Sequence, residues 1–170
     1  MEQGTLVNDE MRAALGDEID WRTSYPVDAS DLRRWSIAVH YPEAPPRRFL
    51  NAEHYGGLVA PDEFNPFAWQ VARRRRPVVV PKARDTDRPE KVHGIRGPGL
   101  RHQVAGGIEA TYGESIRVGD VVTSRTRLVA YVEKQGRLGP MLLTTTEDRW
   151  TNQDGAFVRL LRETSIRYDA

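Results

Sequence analysis

From Gly106 onward the chain alternates. Four segments, GGIEATYGESI (106–116), VVTSRTRLVAYVEKQ (121–135), PMLLTTTEDRWTN (140–152) and AFVRLLRETSIRYD (156–169), place apolar and polar residues in turn. Side chains on a strand point to opposite faces with period two, so each segment suits a sheet with one covered face. In the second segment Val122, Ser124, Thr126, Leu128, Ala130 and Val132 share a face, and Arg125 and Arg127 take the other. In the fourth, Val158, Leu160, Ile166 and Tyr168 alternate with Arg159, Glu163 and Arg167. The breaks RVGD (117–120), KQGRLG (134–139) and NQDG (152–155) carry turn chemistry, and Asp154-Gly155 is a strong hairpin signal. The pattern predicts a meander of four long antiparallel strands. Its core side should hold Val122, Leu128, Ala130, Val132, Val158, Leu160 and Ile166.

Such a sheet needs a cover, and the N-terminal half must supply it. DASDLRRWSIAVHYP (28–42) reads as a helix capped by Asp28 or Ser30, with Asp31 in its first turn. Leu32, Trp35 and Val39 give it one apolar face, and Pro42 should end it near Tyr41. WRTSYPVD (21–28) reads as a strand, and residues 1–19 as an extension or short helix. Residues 42–104 are irregular and carry nine prolines. Within them NAEHYGG suits one helical turn stopped by Gly56, and RPVVVP a short edge segment. The resulting expectation is an α+β fold over 1–170, one domain, in which a curled antiparallel sheet wraps a central helix.

Composition excludes several classes. The chain has 170 residues and no cysteine, which removes disulfides, thiolate zinc sites and a cysteine nucleophile. No run of about eighteen apolar residues is present, so no membrane segment is expected, and the acidic N-terminus is unlike a secretory signal. A cytoplasmic location is the expectation. Net charge is +1, unevenly spread: residues 73–104 carry ten Lys/Arg against three acidic residues. This basic loop (70–104) suits a phosphorylated ligand or a solvated charge run. No aromatic stacking platform accompanies it, so nucleic acid is not expected. The four histidines lack metal-ligand spacing, and neither a metal nor a cofactor is expected. His93 and His102, inside the basic loop, are expected to be solvated.

The order helix, proline-rich loop, YGGLVAP, GGIEATYGESIRVGDVVTSRTRL, EKQGRLGPMLLTTTEDRWTNQDGAFV resembles the N-terminal half of the MaoC-like dehydratases, also called fatty-acid-synthase-type dehydratase domains. The likeness runs from about Asp20 to Tyr168, with RVGDVV, EKQGRLGPM and TNQDG its most specific parts. It implies a single hot-dog fold, in which a helix is wrapped by an antiparallel sheet and two such folds join across a continuous sheet. It also implies action on acyl thioesters of coenzyme A or acyl carrier protein, adding water to a trans-2-enoyl group or removing it from a 3-hydroxyacyl group.

Active members of that family hold one water between an Asp and a His in a GDxNPxH-like run. Here the corresponding stretch reads VHYPEAPPRRF: His40-Tyr41 replaces Gly-Asp, Glu43 stands near the Asn, and Arg47, Arg48 and Phe49 stand where a histidine would follow. The dyad is therefore expected to be missing, with no catalytic residue in this chain. The frame persists: Gly56 and Gly57 allow close backbone approach, and VAP and Phe64 resemble the pocket-lining stretch. The expected substrate-binding set is Tyr41, His54, Tyr55, Gly56, Gly57, Phe64, Arg74 and Arg75. Three readings stay open. One is a non-catalytic subunit working with a hot-dog partner that carries the Asp and His, and that forms a homodimer in isolation. Another is a self-sufficient dehydratase using His40, Glu43 or His54. The third is a stand-alone acyl-thioester binding module.

Overall fold

The structure, a computed structural model, describes residues 5–53, 56–69, 71–75 and 85–169. Its elements run in the order α1 (Asp9–Ala13), β1 (Glu18–Thr23), α2 (Ala29–His40), a 3-10 turn (Arg47–Phe49), β2 (Arg73–Arg74), α3 (Arg88–Lys91), β3 (His102–Tyr112), β4 (Thr123–Gly136), β5 (Gly139–Thr151) and β6 (Phe157–Tyr168). All pairings are antiparallel, in the order β2-β1-β4-β5-β6-β3. The RPVVVP segment lies outside the described residues.

The four predicted C-terminal strands form, but only β4, β5 and β6 make a meander. β3 lies beside β6 rather than β4. The reason is the connector between β3 and β4. It crosses the end of the sheet with Ile116 and Val122 buried, and its RVGD turn is closed by Asp120 Oδ2 accepting from Arg117 N. The hairpins behave as their residues require. Gly136 pairs with Gly139 around Arg137-Leu138, and Asn152 Oδ1 accepts from both Asp154 N and Ala156 N. Gly155 sits at φ 79°, the left-handed region where a side chain is strained.

The register explains where the predicted core fails. The β4–β5 ladder slips between Leu128 and Ala130, so an extra residue enters β4 there. Val122 and Leu128 before the bulge are fully buried, whereas Val132 after it is 47% exposed. Tyr131 turns inward instead and packs against Leu142 and Leu100. On β6 Val158 is buried as expected, but Arg159 and Arg167 are buried too while Leu160 and Ile166 are only half-buried.

α2 begins as expected, with Asp28 Oδ1 accepting from Ser30 N at 2.7 Å. Its inward face is Leu32, Trp35 and Ser36, and Val39 is exposed. Leu32 joins Val27, Leu58, Ala60, Phe64, Phe67, Ile116, Val122, Trp150 and Val158 in the main core. α1 is only five residues long, because Gly16 at φ 93° turns the chain into β1. β1 starts earlier than predicted and ends at Thr23, leaving Tyr25–Asp28 outside the sheet. A second core joins Val7 and Met11 to Leu100 and Leu142.

Beside that second core, a buried polar network fixes residues 85–100 to the sheet. Arg167, 1% exposed, donates from Nη2 to Glu90 Oε1 (2.7 Å) and Thr144 Oγ1 (2.8 Å). Its Nη1 donates to Glu90 Oε2 (3.0 Å) and the Thr86 carbonyl (2.9 Å). Tyr131 OH donates to Glu90 Oε1 at 2.6 Å. Burial and the Glu90 hydrogen bond push the Tyr131 phenol far up.

Candidate functional site

The segment from His40 to Phe64 hangs between the end of α2 and the β3–β4 connector. Val59 bridges to Arg117, and Ala60 N donates to the Ile116 carbonyl at 2.8 Å. Arg117 Nη1 donates to the Gly56 carbonyl at 3.3 Å. Gly56 (φ 64°) and Gly57 (φ 121°) adopt backbone conformations that side chains resist, so the two glycines let the chain turn here. Pinned in this way, residues 58–64 return to the core, where Phe64 packs edge-on against Trp35 at 5.6 Å.

Phe64 also forms the floor of an open groove of about 510 Å³, together with Val27 and Pro66. Tyr25, Trp69, Asp31 and Arg34 form its rim. Tyr25 and Trp69 are exposed, and Trp69 meets Trp35 edge-on at 6.1 Å. An apolar floor of that size with few polar groups suits the chain of a small acyl ligand. The rim residues Tyr25 and Trp69 were not singled out in the sequence, where they stand 44 positions apart.

Among the described residues the histidines do not assemble a water-holding pair in this groove. His40 Nδ1–H donates to the Ser36 carbonyl at 2.8 Å, and its ring lies against Phe49. This is a helix-end role. Tyr41 and Glu43 are exposed, and Glu43 N donates to the His40 carbonyl, closing a turn. His54 and Tyr55 lie outside the described residues. His93 is partly buried rather than solvated, with Nδ1 4.0 Å from Asp17 Oδ2 and a buried, unpartnered Nε2. Neither His93 nor His40 lines the groove. His102 stacks on Tyr168. Among the described residues no group of three His, Asp or Glu could hold a metal ion.

The arginines of the basic loop separate. Arg74 is exposed on β2, whereas Arg75 Nη1 donates to the Glu18 carbonyl and lies 3.8 Å from the Glu18 carboxylate. Arg75 thus fastens β2 to β1.

A second constellation borders the same segment. Arg22 stacks on Phe67 and Arg159 on Trp150, while Phe67 and Trp150 meet edge-on at 5.1 Å. Asp148 lies among them, accepting from Ser124 Oγ (2.6 Å) and Trp150 Nε1 (2.8 Å), with Arg22 Nη2 at 3.5 Å. Tyr112 OH donates to Glu63, and that bond is the first cause of its raised pKa. Burial lowers the Arg159 pKa; Asp148 and Tyr112 oppose it.

The family described as FAS1-like, dehydratase domain region, matches residues 13–161. No curated protein matches the sequence. Among solved structures, the fold is similar to the ChsH1-ChsH2 complex of Mycobacterium tuberculosis at TM-score 0.62, with 19% identity over 88% of this chain and 83% of that one. It is similar to a MaoC-like dehydratase of Rhodospirillum rubrum at TM-score 0.56, with 17% identity over 92% and 94% of the two chains. The HadBC (3R-hydroxyacyl-ACP dehydratase) complex of Mycobacterium tuberculosis gives TM-score 0.52, with 19% identity over 88% and 95%. At these identities the structural likeness carries the fold: the curled six-stranded antiparallel sheet with its short helices is a hot-dog.

Proposed function

The chain belongs to the family of FAS1-like dehydratase domain regions, and from that premise we propose that it is the non-catalytic hot-dog subunit of a heteromeric enoyl-thioester hydratase or 3-hydroxyacyl-thioester dehydratase. It binds the acyl thioester and shapes the site, and a hot-dog partner brings the Asp and His. The observation that carries this reading is His40: at the family's dyad position its Nδ1 is engaged by the Ser36 carbonyl, next to an exposed Tyr41 and Glu43. A general base must reach both the attacking water and the α-carbon proton, and His40, with its ring against Phe49, does not line the groove.

The groove over Phe64 holds the acyl chain, and exposed Arg74 lies free to meet phosphate oxygens. β3 is the assembly edge. It ends the sheet and exposes Ile108 at 65%. Two of the similar folds, ChsH1-ChsH2 and HadBC, are two-component complexes, the kind of assembly proposed here. The purified chain should leave a trans-2-enoyl thioester unhydrated beyond background. Turnover by the chain alone, lost on Glu43→Gln, His40→Ala or His54→Ala, would instead establish a self-sufficient dehydratase. Thioester binding with no partner that confers activity would leave a binding module.

A further inference from the structure

Arg159 is a buried cation without a counter-ion. It is 8% exposed, and its guanidinium carbon lies 3.6 Å from the Trp150 ring centroid. Its Nε is buried with no hydrogen-bond partner, and no carboxylate lies within ion-pair distance among the described residues. Asp148, the nearest buried anion in the cluster, is already engaged by Ser124, Trp150 and Arg22. A desolvated guanidinium left this way costs free energy unless an acceptor completes it.

The space for that acceptor is present. A cleft of about 10 Å³ lies over Arg159 and Trp150, walled by Ala60, Pro61, Tyr112 and Ile116. That volume admits about one water-sized oxygen. The rim is acidic: Asp62 and Glu114 line it, and Glu63 accepts from Tyr112 beside it. Those carboxylates repel a free anion and favour a neutral oxygen acceptor, of which a carbonyl is one. Ala60, Pro61 and Asp62 line this cleft, and Phe64, two residues further along the chain, is the groove floor. One ligand can therefore place its carbonyl at Arg159 and its chain over Phe64.

We propose that Arg159 is a substrate-binding residue that donates to, and polarises, the carbonyl oxygen of the bound acyl thioester. This rests on the acyl-thioester reading above and adds a named donor to it. The probes are butyryl-coenzyme A and its thioether analogue butyl-coenzyme A, which lacks only the carbonyl. Both are titrated into the wild-type chain and into Arg159→Met, which keeps the volume and the stack on Trp150. Wild type should bind the thioester about 10- to 100-fold more tightly than the thioether, the worth of a hydrogen bond to a charged group. Arg159→Met should bind the two alike. Equal discrimination by both proteins would overturn the role of Arg159 and leave the acyl-thioester reading intact. Failure of wild type to bind either probe would overturn both. If Arg159→Met does not fold, the Arg159 Nε–H resonance of wild type decides: it must move with the thioester and not with the thioether.

Discussion

Glu90→Ala should be among the most damaging single substitutions in this protein. Glu90 is 1% exposed and accepts from Arg167 through both oxygens, at 2.7 and 3.0 Å, and from Tyr131 OH at 2.6 Å. Truncation leaves the Arg167 guanidinium 1% exposed, with Thr144 Oγ1, the Thr86 carbonyl and Asp87 at 3.4 Å as its remaining partners. Breaking one side of a buried pair costs about 3–5 kcal/mol. With a urea m-value of about 2 kcal/mol/M, the unfolding midpoint should fall by about 2 M at unchanged m. Arg167→Met with Glu90→Met removes both charges and keeps the volume, so the double variant should recover most of that loss. The assay is urea unfolding followed by far-ultraviolet circular dichroism on the single variants and the double one. A Glu90→Ala loss below about 1 kcal/mol, or a double variant as unstable as the sum of its parts, would refute the claim that this network fixes residues 85–100 to the sheet.

Asp87 gives the pH signature: burial first raises its carboxyl above the ordinary value, against the pull of Gly99 N–H and Arg167. A carboxyl raised by folding contributes most below the ordinary carboxylate range and loses that contribution as pH rises through its folded value, so the stability of Asp87→Asn relative to wild type should increase as pH rises above the ordinary carboxylate range; a relative stability that falls with rising pH in urea melts would contradict this. Leu128→Ala should cost about 2–5 kcal/mol and Val132→Ala within about 0.5 kcal/mol, because the β4 bulge buries the first and exposes the second; a larger loss at Val132 in the same melts would place the bulge elsewhere. Ile108→Asp on the β3 edge should abolish self-association in light scattering and leave the thermal midpoint within about 2 °C, since the side chain is 65% exposed in the single subunit; retained association would move the interface off β3.

The sheet was legible because period two is a local property: four alternating segments and their Gly-containing turns mark β3 to β6 with errors of a few residues. Their order was not, because the β3–β4 connector turns back across the sheet end through Ile116 and Val122, a tertiary choice that no local pattern carries. The single extra residue near Val129 is equally silent in sequence, yet it reverses the face of Val132. Arg159 and Arg167 read as outward-facing charges. Arg167 is paired with Glu90, 77 positions away, and Arg159 stacks on Trp150. At the site, the turn at Gly56 and Gly57 follows from residues that can be read directly, and Phe64 is an apolar residue that the fold buries. The groove rim of Tyr25 and Trp69 could not be read directly, because those residues meet only in the fold.

The most direct test mixes this chain with a hot-dog partner carrying the GDxNPxH motif and follows hydration of a trans-2-enoyl-coenzyme A. Neither protein alone should turn over well, the mixture should, and substitution of the partner's Asp or His should abolish turnover while His40→Ala here changes KM more than kcat. Turnover that survives loss of the partner's dyad, and disappears with His40→Ala or Glu43→Gln in this chain, would contradict the account.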